Sequence, residues 1–281
     1  MESVQIEIDS HLHLWDSAHL SYPWLKEVPG IDRAFSLADY DADASGFVFV
    51  ECTGSMRDDV SKDEVEWVES LALVDPRIKG IVAHASLERG EATQAHLEWL
   101  ASRSLVKGVR RLLQGELDPR FCLQPAFLDG VLLLAAHNLP FDVCVYHHQM
   151  PAVVELVRSV PEVQFVLDHA GKPAIKSGNL GDWLIQIEHL ASLPNVVCKL
   201  SGLITEADPM AWTPRDILPV MQHVLRCFGP NRVLYGSDWP VVLLASELSG
   251  WNEVVFGFLS SLSTEKQEAL LGLNAKRVYR L

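Results

Sequence analysis

Cysteine is scarce in this chain of 281 residues, and its five cysteines stand far apart with no CxxC pair. Their odd number and wide spacing argue against a disulfide framework. Cys52, Cys144 and Cys198 fall inside apolar, strand-like runs. This pattern predicts buried free thiols in a protein of the reducing cytoplasm.

Positive charge is also in short supply, because 23 lysines and arginines stand against 37 acidic residues and leave a net charge of -14. An acidic surface disfavours nucleic acids and anionic membranes as partners. No apolar run reaches the roughly 18 residues of a membrane span. The N-terminal stretch "MESVQIEID" lacks the basic and apolar regions of a signal peptide. We therefore expect a cytoplasmic protein with no nucleic-acid or membrane partner, in an oligomeric state that the sequence leaves open.

Neither a GxGxxG nor a Walker A phosphate loop occurs, which disfavours a doubly wound nucleotide-binding sheet. The chain has instead a series of eight short apolar runs, with helical patterns between most of them. These runs span residues 4–9, 46–53, 79–85, 106–113, 141–147, 163–169, 195–202 and 232–238. Runs rich in Val, Ile and Leu suit parallel strands that are buried on both faces. Eight such strands alternating with helices predict an α/β protein with a single (β/α)8 TIM-like barrel over residues 1–281.

Capping patterns predict where two of the helices begin. Ser61 and Glu64 match the S-x-x-E capping box. Thr213 precedes Pro214 and a helical stretch that runs to Gly229, which predicts an N-cap, a first helical residue and a C-cap.

The first predicted strand leads into "IDSHLHLWD", in which two histidines stand one residue apart. Side chains at i and i+2 of a strand share one face, so His11 and His13 would project together. Such a pair can bind a divalent metal, or it can polarise a substrate carbonyl and hold a water; two exposed loop histidines are the alternative. The other strand ends favour a site, because every one carries an ionisable side chain at the edge where barrels place their chemistry. These residues are Glu51, His84, Arg110 with Arg111, His147 with His148, Asp168 with His169, Lys199 and Asp238.

Several of these side chains also have a structural interpretation. Neighbouring residues of a strand point in opposite directions, so one of Arg110 and Arg111 is expected to face the helices and pair with acids there. The same parity allows only one of His147 and His148 to face the barrel mouth. His84 lies slightly inside its strand and is compatible with a hydrogen-bonded core histidine.

Lys199 stands among apolar residues of the seventh predicted strand. An unpaired ammonium is costly in such surroundings. A carboxylate neighbour such as Glu51 or Asp238 would offset that cost.

Four motifs at the strand ends, "IDSHLHLW", "VLDHAGKP", "CKLSGL" and "YGSDWP", resemble the amidohydrolase superfamily. They run from residue 8 to residue 240, and "VFVECTGS", "GVRRLLQGE" and "GLNAKRVYRL" are similar to its amidohydrolase-2 branch of sugar and aromatic lactonases. The resemblance implies a distorted (β/α)8 barrel in which water attacks an electrophilic carbon at the top of the barrel.

Within this resemblance, His11 and His13 match the strand 1 pair, His169 the strand 6 histidine, and Asp238 the strand 8 aspartate that acts as general base. Many relatives bridge two metals through a residue on strand 4, where this chain has arginines. The resemblance therefore implies at most one divalent ion, such as zinc, held by His11, His13, His148 and Asp238. Related lactonases that are thought to work without metal make a metal-independent site the alternative.

The activity that the resemblance implies is hydrolysis of a small-molecule lactone. Asp238 would take a proton from the water that attacks the ring carbonyl, and His169, a cation such as Lys199 or a metal would stabilise the oxyanion. No nucleophilic serine is needed, and no G-x-S-x-G motif is present.

The stretches "CKLSGLITEAD" and "VECTGS" are similar to lactonases that act on 6-deoxy-L-sugar lactones. Residues 14–45 have little helical period and predict a loop over the site, in which Tyr22 and Trp24 offer flat faces to a sugar ring. Glu51, Arg110 and His84 complete the expected substrate-binding set. Two alternatives stay open: a pyrone or muconolactone dicarboxylate hydrolase, which would need several arginines, and a zinc-dependent decarboxylase.

Overall fold

The structure is a computed structural model that describes residues 5–53 and 57–281. Val4 of the first predicted strand, and Gly54 and Ser55 of the "VECTGS" stretch, lie outside the described residues.

Eight parallel strands form one sheet in which each strand pairs with the next along the chain. A bridge between Leu12 and Trp239 brings the first strand beside the segment that follows the last one, so the barrel nearly closes. The strands are β1 (Asp9–Leu12), β2 (Phe47–Val50), β3 (Ile78–His84), β4 (Val106–Arg110), β5 (Phe141–Val143), β6 (Phe165–Leu167), β7 (Val196–Leu200) and β8 (Val233–Tyr235). The predicted (β/α)8 TIM barrel is confirmed.

Helices follow every strand from β2 onward. They are α1 (Asp58–Ala72), α2 (Glu91–Ala101), α3 (Pro125–His137), α4 (Met150–Ser159), α5 (Gly181–Ala191), α6 (Pro214–Phe228), α7 (Leu248–Leu259), α8 (Thr264–Glu268) and α9 (Asn274–Tyr279). The connection from β1 to β2 carries only short 3-10 turns, as the lack of helical period in residues 14–45 predicts. Across the described residues, no helix combines the length and the apolar character that a membrane crossing requires.

The start of α6 agrees with the sequence prediction. Thr213 is the N-cap, Pro214 is the first helical residue and Gly229 is the C-cap. Asp216 adds a capping box by accepting hydrogen bonds from the backbone and the hydroxyl of Thr213. A helix whose ends are satisfied locally is predictable from local sequence.

The capping box predicted at Ser61 is wrong, because α1 already begins at Asp58. The Ser61 hydroxyl donates instead to the carbonyl of His84, and the Glu64 carboxylate accepts the backbone N–H of Cys52. Both side chains therefore bond to residues at the ends of neighbouring strands and do not cap the helix.

The barrel interior is apolar in its lower part. Val48, Val82, Val166, Val197 and Leu234 belong to one buried cluster that also includes Tyr279 of α9. The residues on the opposite faces of the same strands pack in the larger core under the helices. Because side chains alternate along each strand, the residue two positions beyond each interior valine faces the interior again, one level higher.

Candidate active site

A layer of polar side chains lies above this apolar interior. Asp168 stands two residues after Val166, and Lys199 two residues after Val197, and both are fully buried. Asp142 of β5 joins them at hydrogen-bond distance from Lys199. Chemistry in a (β/α)8 barrel gathers at the carboxyl ends of the strands, so this layer is the floor of the candidate active site.

Two histidines and one aspartate meet above the floor, between β1 and β8. The Nε2 atoms of His11 and His13 are 3.2 Å apart, and Asp238 Oδ1 lies 3.7 Å and 3.5 Å from them. Ligands at about 2.0–2.1 Å from a tetrahedral zinc ion are roughly 3.3 Å from one another. The spacing of the three atoms fits three ligands of one divalent ion with a fourth position left open.

The orientation of His13 is set by the neighbouring strand. Its Nδ1 atom is 2.8 Å from the carbonyl oxygen of Val50. A carbonyl can only accept, so Nδ1 carries the proton and donates. In a neutral imidazole with its proton on Nδ1, Nε2 keeps a lone pair and is available as a ligand or an acceptor.

His169 lies beside Asp238 on the other side. Its Nδ1 atom is 2.9 Å from the hydroxyl of Ser201 and 3.9 Å from Asp238 Oδ2. The His169 ring packs against the ring of His11 with centroids 4.5 Å apart. His169 has φ 52° and Asp238 has φ 57°. Positive φ is uncommon for residues other than glycine and concentrates at functional sites, which agrees with a role for both residues.

Gly202 lies directly against this pair. A Cβ atom at Gly202 would be 2.6 Å from His169 Nδ1 and 2.7 Å from Asp238 Oδ2. The backbone there has φ 57°, a conformation that favours glycine. The glycine of the "CKLSGL" motif therefore leaves the space that the histidine and the aspartate occupy.

The electrostatics of the site favour the neutral forms of His11 and His169 and the ionised form of Asp238. Burial lowers the pKa of His11 and of His169 well below the usual histidine range. Burial acts to raise the pKa of Asp238, but the neighbouring His169, His13 and Lys172 together outweigh it, so this pKa lies below its ordinary value. An ionised carboxylate is the form that can accept a proton from water.

Lys199 lies under the site, and its partners differ from the expected ones. Its Nζ atom is 2.6 Å from Asp142 Oδ2 and 3.0 Å from Asp168 Oδ1, whereas Glu51 or Asp238 had been expected. Burial opposes the charge, but the two carboxylates outweigh it and raise the pKa of Lys199. The side chain is completely buried below the site, so we do not expect it to contact the substrate directly.

The two arginines of β4 separate as their parity requires. Arg110 turns inward, where its Nε donates to Glu51 at 2.7 Å and its Nη1 lies 3.4 Å from Asp168. Arg111 turns away and pairs with Glu88 and Glu116. Both guanidinium groups are thus neutralised by acids of the protein itself.

His148 does not join His11, His13 and Asp238, contrary to the expectation for β5. The strand ends at Val143, and the chain then turns so that His148 is exposed and stacks on Tyr146. His147 is half-buried, with its Nδ1 atom 3.2 Å from the carbonyl oxygen of Lys172. At the strand end itself stands Cys144, whose Sγ atom lies within 4.8 Å of a ligand atom of Asp168 and of His169.

The other expected substrate-binding residues differ in exposure. Tyr22 is buried in the core, so its ring does not offer a free face to a sugar. Trp24 is half-buried, donates its Nε1–H to the carbonyl of Cys52 and lines an open cleft. His84 is buried on β3 in register with Arg110, and its Nε2 atom lies 3.4 Å from the Ser86 hydroxyl.

Sequence reasoning passed over two charged residues of the site. Asp142 is the single acid inside the apolar run "FDVCV", and a lone acid in a buried strand was the signal that could have found it. Lys172 belongs to the "VLDHAGKP" motif; it pairs with Glu206 at 2.9 Å and faces the Tyr146 ring. Its positive charge also acts on Asp238 and helps to lower the pKa of that residue.

Known proteins that are similar to this chain include two lactonases and an amidohydrolase. L-fucono-1,5-lactonase of Burkholderia multivorans is 33% identical over 98% of this chain and 96% of its own length. L-rhamnono-gamma-lactonase of Scheffersomyces stipitis is 25% identical over 58% of this chain and 56% of its own. The crystal structure of a Burkholderia multivorans amidohydrolase with bound zinc superposes with a TM-score of 0.87, at 32% identity, over 98% of this chain and 99% of that one.

A family model described as Amidohydrolase matches residues 8–281, which include every strand end described above. The match covers the histidine pair of β1, His169 and Asp238 in a single alignment. The chain therefore belongs to the amidohydrolase family.

Proposed function

We propose that this protein hydrolyses the ring ester of a neutral lactone derived from a 6-deoxy-L-sugar, such as L-fucono-1,5-lactone. The observation that carries the proposal is the Asp238 carboxylate just after β8, with His11 and His13 beside one oxygen and His169 beside the other. The lactonase names of the relatives support the substrate class. Such an enzyme opens the ring with water and needs no nucleophilic side chain.

In this proposal Asp238 acts as the general base. Its Oδ1 atom faces His11 and His13, and its Oδ2 atom faces His169. The carboxylate takes one proton from water, and the resulting hydroxide oxygen bonds to the ring carbonyl carbon. The bond from that carbon to the ring oxygen then breaks, and Asp238 returns its proton to the leaving alkoxide. The products are one hydroxyl and one carboxylic acid, so atoms and charge balance.

His11, His13 and Asp238 are the residues that would hold one divalent ion, with zinc as the proposed metal. Such an ion supplies Lewis-acid polarisation of the carbonyl and a more acidic water. His169 stands next to the same position and would donate to the oxyanion through the ring nitrogen that does not contact Ser201.

The charges around the site favour a neutral substrate. Arg110 is paired with Glu51 and Asp168, Lys199 with Asp142 and Asp168, and Lys172 with Glu206. A dicarboxylate lactone would bring two anionic groups that must be desolvated and paired. To bind them, Arg110, Lys199 or Lys172 would have to break its ion pair with an acidic residue of the protein. A neutral polyol ring needs only hydrogen-bond partners.

A lactone panel tests this proposal. Acid release from L-fucono-, L-rhamnono- and L-galactonolactone is followed with a pH indicator, beside a pyrone dicarboxylate, with and without chelator. We expect kcat/KM for the best sugar lactone to be well above that for the dicarboxylate. A dicarboxylate that matches or exceeds every sugar lactone contradicts the proposal.

The chelator arm and elemental analysis of the purified protein address the metal. Activity that falls with chelator and returns with zinc, together with about one ion per chain, supports the proposed site. Two tightly held ions per chain would contradict it. Full activity at zero ions would favour the metal-independent alternative. The cytoplasmic location stays a prediction.

A further inference from the structure

The buried ammonium of Lys199 has three neighbours that can accept a hydrogen bond. Nζ lies 2.6 Å from Asp142 Oδ2, 3.0 Å from Asp168 Oδ1 and 3.2 Å from His11 Nδ1. A lysine ammonium has three N–H donors and no acceptor. Because the group is completely buried, each N–H that lacks a partner is costly. Nζ meets hydrogen-bond geometry with Asp142 Oδ2 and with His11 Nδ1, whereas its contact with Asp168 is an ion pair. Because an ammonium can only donate, His11 Nδ1 is the acceptor in this contact.

This arrangement has a consequence for the other nitrogen of His11. A neutral imidazole whose Nδ1 accepts carries its proton on Nε2. That Nε2–H lies 3.2 Å from His13 Nε2, which keeps a lone pair because His13 Nδ1 donates to Val50. A continuous chain of hydrogen bonds then runs from Lys199 through both histidines to the backbone of β2.

We propose that Lys199 is a positioning residue that holds His11 with its proton on Nε2 and thereby weakens the binding of a divalent ion by His11, His13 and Asp238. This inference rests on the ligand set of the proposed function. An Nε2 atom that carries a proton has no lone pair for a metal. Lys199 and the metal therefore require different tautomers of His11. Lys199 needs Nδ1 without a proton, and the metal needs Nε2 without one.

The competing arrangement is also present in the site. His11 Nδ1 is 3.3 Å from Asp168 Oδ1, so a ring with its proton on Nδ1 can donate to that carboxylate. A carboxylate that accepts from a metal-bound histidine is a common outer partner in metal sites. When a metal binds, the Nε2 proton is released and Nδ1 takes up one proton, so the ring stays neutral. Lys199 then loses His11 as a hydrogen-bond acceptor, and the cost of that loss lowers the metal affinity.

Nitrogen NMR of the metal-free protein tests the proposal directly. Two-bond correlations between ring protons and nitrogens in protein labelled with 15N-histidine distinguish Nδ1–H from Nε2–H, and a His11→Gln variant identifies the His11 signals. We expect Nε2–H in the natural protein and Nδ1–H in Lys199→Met, where Asp168 becomes the only partner of Nδ1. Nδ1–H in the natural protein would overturn the proposal, even if Lys199→Met does not fold.

Zinc affinity, measured by competition with a chromophoric chelator, gives the second readout. We expect Lys199→Met to bind zinc ~10–100-fold more tightly, the range over which outer partners of metal ligands change affinity. Unchanged or weaker binding would contradict the inference. If the single variant does not fold, Lys199→Met combined with Asp142→Asn removes one buried charge of each sign and keeps the experiment available.

Tyr279→Phe is the matched control. The Tyr279 hydroxyl donates to Asp142 Oδ2, so this variant removes a buried hydrogen bond of the same network and leaves the contact between Lys199 and His11 in place. Its His11 signals and zinc affinity should equal those of the natural protein. A change in tautomer or zinc affinity as large as that of Lys199→Met would contradict the proposal, because any disturbance of the network would then have this effect.

Neither readout uses lactone hydrolysis, so the two proposals fail separately. A protein inactive on every lactone can still show Nε2–H at His11. Zinc affinity that is unchanged in His13→Gln would instead show that the ligand set itself is wrong.

Discussion

The end of β1 and the end of β5 both carry two histidines close together in sequence, but the structure uses them differently. His11 and His13 lie on and just beyond β1, are buried, and point together at Asp238. His147 and His148 come four and five residues after the last residue of β5, and His148 is exposed. Side-chain alternation predicts direction only where the backbone stays extended. A three-residue strand is too short to place a side chain so far beyond its end.

Asp238→Asn is expected to have the largest effect. Asp238 follows β8 and faces the two histidines of the β1 end. Asparagine keeps the shape and tolerates positive φ, but it cannot accept the proton from water. We expect kcat to fall ~10²–10⁴-fold, the range for general-base catalysis. The melting temperature reports whether the fold persists. Near-normal turnover in a folded variant would remove Asp238 from the mechanism.

His169→Asn and His148→Asn compare a buried histidine of the site with the exposed one after β5. His169 contacts Ser201 and lies beside Asp238, so its loss should reduce kcat/KM ~10²-fold. The same change at His148 should leave kcat/KM and zinc content within about twofold, since its ring stacks on Tyr146 at the surface. Equal losses in the two variants would restore His148 to the ligand set.

Gly202→Ala tests how closely the site is packed. The new methyl group would lie within 2.7 Å of both His169 Nδ1 and Asp238 Oδ2, so one of these side chains must move. A displacement of this size should cost ~10²-fold or less in kcat/KM. Gly178→Ala is the control, because it has a similar φ of 71° and open space around the new Cβ. The control should lose stability through backbone strain without losing turnover; a comparable loss of turnover would make strain the cause in both.

Glu64→Gln is expected to have the smallest effect, and on stability alone. Burial and the nearby charge of Glu51 raise the pKa of Glu64 to about 8 in the folded protein, so the folded state holds a proton that the unfolded state releases at lower pH. Stability from this group is present below the pKa of the unfolded chain and is lost as pH rises to about 8. Glutamine can still accept the N–H of Cys52, but it does not titrate.

The melting temperature of Glu64→Gln, relative to the natural protein, should therefore rise by a few degrees between pH 5 and pH 8. Exposed Glu253 provides the control, and Glu253→Gln should show no such trend. A difference that is constant or shrinks over this range would contradict the buried, protonated state of Glu64.

The sequence by itself determined the barrel and most of its element order. Eight apolar runs that alternate with helical patterns are local signals, and each element needs only its own residues to be recognised. The same holds for α6, whose N-cap and first turn are satisfied within four residues of Thr213. Alternation also predicted that Arg110 and Arg111 would diverge, and the structure shows this.

Only the tertiary structure decided which charges pair below the site. Lys199 contacts Asp142, 57 residues away, and His11, 188 residues away, and no local pattern specifies such pairs. Closure of the barrel brings these side chains to one level of its interior, where each buried charge must find an opposite one because water is excluded. Because of the same closure, Ser61 and Glu64 bond to residues at the ends of β2 and β3 instead of capping α1. His148 lies beyond the short β5 and is exposed, since strand length and curvature depend on the whole sheet.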